Sequence, residues 1–198
     1  MTTIAGILLT GGRSRRIGTD KASLKLDGET LAIRSARRLA LVCDPVLEVG
    51  DGRSGLSSLR EHPPGSGPLA ALAAAGRELR ARGYAGAALL LAVDLPFVDV
   101  PLLRVLCEWP GAPTVVPTVG GRAQQVCARY GADAMLAADS LVAAGVRSLH
   151  DLLDVVEHEL IDEQVWEPMG GTAAFADVDT RADAERLGIE LPGTGELA

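Results

Sequence analysis

Aromatic residues make up only 3% of the 198-residue chain, two each of Trp, Tyr and Phe. So few rings cannot build the stacking platforms on which single-stranded nucleic acids are bound. Cationic excess is lacking too: the formal charge is −7, which argues against a broad basic face for nucleic acid. Cys43, Cys107 and Cys127 are odd in number, far apart along the chain and form no C-x-x-C pair, so they read as buried or free thiols in a reducing compartment. His62, His150 and His158 show no metal-ligand spacing. The N-terminus lacks the basic start and long apolar core of a signal peptide. No apolar run reaches the roughly 20 residues needed to cross a bilayer. A cytoplasmic protein with no membrane or nucleic-acid partner is expected.

What the chain does have is apolar content, 47%, ample for one packed domain over residues 1–191, with 192–198 as a disordered tail. Ile4 to Leu9 is a continuous apolar run ending in glycine, as in a buried parallel strand. Ala87 to Val93 is the strongest central-strand candidate, terminated by Asp94. Further strands are expected at Val46–Val49, Thr114–Pro117, Gln124–Tyr130, Val156–Ile161 and Phe175–Val178. Thr30 can cap a helix through about Leu41, with Leu31, Ile33, Ala36 and Leu39 inward and Arg34, Arg37 and Arg38 toward water. Pro68 suits the first turn of an alanine-rich helix, and Pro101–Glu108 and Ala132–Ala144 read as helices. Ser148 caps a short helix, and Thr180 with Asp183 forms a capping box. Strand and helix alternate through the first half, so the class is α/β with a mostly parallel sheet.

The most informative stretch is Leu9-Thr10-Gly11-Gly12-Arg13-Ser14-Arg15-Arg16-Ile17-Gly18-Thr19-Asp20-Lys21. A strand runs into paired glycines and then into clustered cations. Glycine lets backbone amides approach a ligand closely, and such amides cradle phosphate oxygens. A triphosphate site at the end of the first strand is the natural reading; a basic surface turn is the plainer alternative. Neither a Walker loop nor a dinucleotide fingerprint fits the spacing. In open α/β sheets ligands bind beyond the carboxyl ends of the strands, which places Asp94 on the same rim. There it either holds a hard cation such as Mg²⁺ or simply starts the turn before Pro96.

This stretch resembles the signature L-A-G-G-x-S-x-R-M-G-x-D-K of molybdenum cofactor guanylyltransferases, with Thr10 in place of Ala and Ile17 in place of Met. The similarity continues through Gly65–Leu69, Asp94–Phe97 and Phe175–Thr180. It implies a Rossmann-like nucleotidyltransferase fold with helices on both faces. Gly11 and Asp20 favour the guanylyl branch over the cytidylyl one. By resemblance Arg16, Lys21 and Asp94 are catalytic, and Leu9, Thr10, Gly11, Gly12, Lys21, Glu61 and Asp94 bind nucleotide. Asp94 takes the metal; Asp177 and Asp179 replace late asparagines of the family, with Asp179 the stronger candidate for a second ligand. Asp20 braces the loop, by pairing with Arg16 or by capping backbone amides. Glu61 stands for the family's aspartate on the guanosine side. Gln124, in a G-R-x-Q segment where Gln125 replaces Pro, falls on the acceptor side, although an ordinary hairpin explains it equally well. No counterpart of the family's base-reading asparagine appears near Gly50–Arg53.

The implied reaction moves GMP from Mg-GTP to the terminal phosphate of molybdenum-molybdopterin, releasing pyrophosphate. Proteins that insert molybdenum and mature molybdoenzymes are the implied partners. A CTP-dependent enzyme, another phosphorylated acceptor, and a catalytically silent nucleotide-binding module are the alternatives.

Overall fold

A computed structural model describes residues 3–11, 17–170 and 172–191. In chain order the strands are β1 (Ala5–Leu9), β2 (Lys25–Leu26), β3 (Glu29–Thr30), β4 (Val46–Val49), β5 (Ser57–Leu59), β6 (Ala88–Ala92), β7 (Thr114–Val119), β8 (Arg122–Ala123), β9 (Cys127–Tyr130) and β10 (His158–Ile161). The helices are α1 (Leu31–Ala40), α2 (Pro68–Ala81), α3 (Val100–Glu108), α4 (Ala132–Ala143), α5 (Leu149–Leu153), α6 (Glu163–Gly170) and α7 (Arg181–Arg186). Short 3₁₀ turns occupy Lys21–Ser23 and Thr172–Phe175.

The main sheet runs β10-β7-β9-β6-β1-β4-β5, with β8 paired to β7. Neighbours β5, β4, β1 and β6 are mutually parallel, as are β10 and β7, while β9 is antiparallel to both β6 and β7. The sheet is therefore mostly parallel, as the sequence pattern predicts. The chain leaves β1 toward β4 on one side and returns to β6 on the other. That reversal of direction opens a crevice at the carboxyl ends of β1 and β6.

Alternation along the central strands assigns their side chains to two cores. Ala5, Ile7 and Leu9 of β1 and Leu90 of β6 pack with α2, α4 and α5. Leu8, Leu89 and Leu91 pack on the opposite side with α1, α3 and Trp166 of α6. Both faces are covered, so central strands can be apolar without alternation. A third, smaller cluster brings together Ile17, Ala22, Leu24, Leu31, Val93, Val178 and Ala184 at the sheet's carboxyl rim.

The expected caps form. Thr30 accepts from the Ile33 amide at 3.3 Å and Ser148 from the His150 amide at 3.0 Å. Pro68 occupies the first turn of α2. Other expectations need correction. Phe175–Val178 is not a strand: it leaves the 3₁₀ turn and crosses the rim, where the Val178 amide donates to Asp94 O at 3.1 Å. Phe175 instead packs edge-on against Trp166, with ring centroids 4.9 Å apart. β9 begins only at Cys127, because Gln124–Cys127 closes a turn through Cys127 N to Gln124 O at 3.0 Å. Ile33 is 46% exposed, its place on the inner face of α1 taken by Ser35. Arg38 does not face water; its guanidinium donates to Pro96 O and Val98 O at 2.7 and 2.6 Å. Cys43 and Cys107, remote in sequence, bring their sulfurs within 3.9 Å. No helix among the described residues is long and apolar enough to cross a membrane.

The capping box at α7 sets a pH dependence. Asp183 accepts from the Thr180 hydroxyl at 2.8 Å and from Arg186 at 3.1 Å, and these donors hold its carboxyl down at about 2. The folded value lies below the unfolded one, so the contribution to stability is present above the ordinary carboxylate range and is lost as pH falls toward about 2. Asp183→Asn should lower the Tm at neutral pH, with the gap to wild type closing between about pH 4 and pH 2. A gap that stays constant across that range in thermal melts would contradict this role.

Candidate active site

A cavity of about 610 Å³ opens at the crevice, within the usual range for small-molecule sites. Leu9, Thr10 and Gly11 line it from β1, Val49 from β4, and Ala92, Val93 and Asp94 from β6. Lys21, Glu61 and the entry to α2 at Gly65, Gly67 and Pro68 add to the wall, with Pro64, Ala71 and Val126. Of the residues the sequence singles out for nucleotide, Leu9, Thr10, Gly11, Lys21, Glu61 and Asp94 are thus brought to one cavity. Gly12 and Arg16 lie outside the described residues.

The third apolar cluster explains how three charged groups from distant segments converge. Lys21 precedes buried Ala22, Asp94 follows buried Val93, and Asp179 follows buried Val178. Anchoring each apolar neighbour in one cluster points the polar residue beside it at the cavity rim. Lys21 Nζ lies 3.1 Å from Asp94 Oδ2 and 2.5 Å from Asp179 Oδ1. Burial works against the ammonium, but Asp94 and then Asp179 outweigh it and leave Lys21 above its ordinary range. Lys21 is therefore fully charged at neutral pH.

The bridging ammonium also tests the pair as a metal site. Two carboxylates from separate segments share one cation; Asp94 lines the cavity, and Asp179 reaches it only through the Lys21 ammonium. That hard-oxygen donor set suits a divalent ion completed by substrate oxygens. Asp177, the other aspartate raised by the sequence, is exposed and does not line the cavity.

Gly11 behaves differently from the simple amide-cradle picture. Its N–H already reaches Val49 O at 3.3 Å. A Cβ there would meet Gly50 Cα and Val49 O at 3.8 Å, ordinary contact distance, so packing within the chain does not demand glycine. What glycine supplies is open space above the strand end. The entry to α2 adds a second electropositive feature. Helix α2 begins at Gly67-Pro68 without a side-chain cap, so its positive dipole end faces the cavity. Glu61 accepts from the Gly65 amide at 2.7 Å through Oε1, which fixes its carboxylate beside that entry. Gln124 does not line the cavity; its amide closes a local turn onto Arg122 O at 3.1 Å.

Glu48 is the residue that sequence reasoning missed. Its side chain is completely buried at the end of β4, yet its carboxylate accepts from the Thr10 hydroxyl and from the amides of Gly52, Arg53 and Ser54, each at 2.9 Å. The Ser54 hydroxyl donates to it as well. Desolvation would raise the carboxyl, but donation by Ser54, Thr10 and Arg53 prevails and holds it below the ordinary range. The available signal was a lone acidic residue in an otherwise apolar strand, Val46-Leu47-Glu48-Val49.

Comparison with known proteins gives this geometry its family. The MobA-like NTP transferase domain matches residues 6–160. The chain belongs to that family. A probable molybdenum cofactor guanylyltransferase of Mycobacterium bovis is 37% identical over 163 residues, covering 76% of this chain and 79% of that one. A probable enzyme of the same kind from Mycobacterium marinum is 35% identical over 193 residues and covers 91% of both. Among solved structures, molybdopterin-guanine dinucleotide biosynthesis protein A of Archaeoglobus fulgidus superposes with a TM-score of 0.78 at 21% identity, covering 92% of this chain and 96% of that one. This member of the MobA-like family is a nucleotidyltransferase.

Proposed function

We infer that the chain transfers GMP from GTP to the terminal phosphate of molybdenum-molybdopterin. The carrying observation is the convergence of Lys21 and Asp94 on the wall of a cavity bounded by the end of β1 and the start of α2, with Asp179 bonded to the same Lys21 ammonium. In the reaction an oxygen of the acceptor phosphate forms a bond to the α-phosphorus of GTP. The bond from that phosphorus to the bridging oxygen breaks, and its electrons leave with pyrophosphate. The nucleophile is already an anion, so no side chain has to accept a proton. The residues align two polyanions and neutralise the charge that accumulates between them.

Lys21 is the described cation placed for this task, and the dipole of α2 adds positive potential at the same cavity. Asp94 and Asp179 would hold Mg²⁺, which supplies charge neutralisation and orientation of the phosphates when bound. Glu61, on the cavity wall, would accept from the donor edge of guanine or from a ribose hydroxyl. The names of the curated relatives favour guanine and molybdopterin, and the presence of Gly11 agrees with them. The partners follow from the same reading: proteins that insert molybdenum and enzymes that receive the finished cofactor.

Pyrophosphate release should be measured with Mg²⁺ and each of GTP, CTP, ATP and UTP, with and without molybdate-loaded molybdopterin. Release from GTP alone, and only with the acceptor, is the expected result. Release from CTP would assign the cytidylyl reaction instead. Nucleotide binding without release would point to another acceptor or to a silent binding module.

A further inference from the structure

The described residues at the two ends of the Gly11–Asp20 segment are both tied to a single neighbouring loop. At the first end, Thr10 donates its hydroxyl to Glu48. Glu48 in turn gathers the amides of Gly52, Arg53 and Ser54, so the 50–54 loop is folded around its carboxylate. At the second end, Arg53 Nε pairs with Asp20 Oδ2 at 3.2 Å. Asp20 caps the turn that carries Lys21, accepting from the Ala22 amide at 3.0 Å and from the Ser23 hydroxyl at 3.3 Å. Gly50 belongs to the same closure: a Cβ there would run into the Thr10 hydroxyl and come within 2.8 Å of the Gly11 amide nitrogen.

We propose that Glu48, Arg53 and Asp20 form a brace that fixes the spacing between the end of β1 at Thr10 and the turn at Asp20, and so positions Lys21. All three are positioning residues, and none lines the cavity. The inference rests on the nucleotidyltransferase site described above, and its chemistry is simple. A buried carboxylate can hold a loop of backbone amides rigidly because each donor would otherwise be unsatisfied. That loop can then present one guanidinium in a fixed place. Arg53 is itself 53% exposed, so a solvated role would make it dispensable. The brace predicts the opposite.

The test is Arg53→Ala, with Arg53→Lys, Asp20→Asn and the Arg53→Ala/Asp20→Asn double variant. Displacement of a catalytic group by about 1 Å can cost up to about 10²-fold. Arg53→Ala is accordingly expected to raise the KM for Mg-GTP about tenfold, with a smaller fall in kcat. Its Tm should stay at the wild-type value, because an exposed ion pair contributes little to stability. Arg53→Lys should recover most of the loss, and the double variant should be no worse than the more impaired single. Wild-type kinetics in Arg53→Ala would overturn the brace. So would effects that multiply in the double variant, since Arg53 would then act on the ligand independently of Asp20. Should Asp20→Asn fail to fold, Arg53→Ala and Arg53→Lys decide alone. Direct titration of each variant with fluorescent GTP separates the two inferences: lack of turnover by the wild type would sink the guanylyl assignment, while the affinity series would still read the brace.

Discussion

Lys21→Ala is expected to slow pyrophosphate release by about 10²–10³-fold, the usual consequence of removing one preorganised charge donor from a transfer site. The reason lies in what surrounds the ammonium. Its side chain is only 16% exposed and it spans Asp94 and Asp179, so its position is fixed before substrate arrives. On the proposed reading Asp94 and Asp179 would hold Mg²⁺ in place of the ammonium, which would leave Lys21 to face the triphosphate. Asp94→Asn should show a rate loss of similar size by a different route. Rising Mg²⁺ should restore part of the Asp94→Asn activity, because the defect is in holding the ion. No Mg²⁺ concentration should restore Lys21→Ala, because the missing charge acts directly on the phosphates. Steady-state assays across a Mg²⁺ series distinguish the two, and near-wild-type turnover in either variant would refute its role. Circular dichroism should show both variants folded, since Val93, Ala22 and Val178 keep the local cluster packed.

The features read correctly from the sequence were those fixed by local chemistry. β1 and β6 announce themselves as apolar runs ended by Gly and Asp because both faces of the sheet are covered. Thr30, Ser148 and the Thr180–Asp183 box satisfy amides within a few residues of themselves, so no tertiary information is required. Asp94 and Lys21 could be placed on one rim by the strand-end rule, but not in contact. Their meeting across 73 residues of sequence depends on Val93 and Ala22 sharing a cluster, which Val178 also joins. Phe175–Val178 has strand-like composition, yet it crosses the carboxyl rim, where the Val178 amide donates to Asp94 O, and its Phe175 ring packs on Trp166. Direction is equally invisible: nothing in Cys127–Tyr130 tells that β9 runs against its neighbours. Thr10 illustrates the harder case. As a departure from the family signature it has no evident reason until Glu48 is seen to accept its hydroxyl. Two unusual residues 38 positions apart explain one another.

Glu48→Ala is expected to be the most destabilising single change near the site, lowering stability by at least about 3 kcal/mol. The carboxylate is completely buried and accepts from three amides and two hydroxyls, so truncation orphans several donors at once. Hydrogen bonds to a charged group contribute about 1.5–3 kcal/mol each, and their sum is reduced because water can reach a vacated strand end. Glu48→Gln separates charge from shape. The amide keeps one acceptor oxygen and turns the other position into a donor facing donors, so it should recover only part of the loss. The ordering Ala below Gln below Glu, read from urea midpoints at constant m, checks the argument. Thr10→Ala should be mild by comparison, since it leaves Glu48 with its backbone donors, and it should cost almost nothing in the Glu48→Ala background. A Glu48→Ala midpoint within error of wild type would mean that the 50–54 loop holds its shape without the carboxylate. The carboxylate would then be neither the keystone of the strand end nor the anchor of the brace to Lys21.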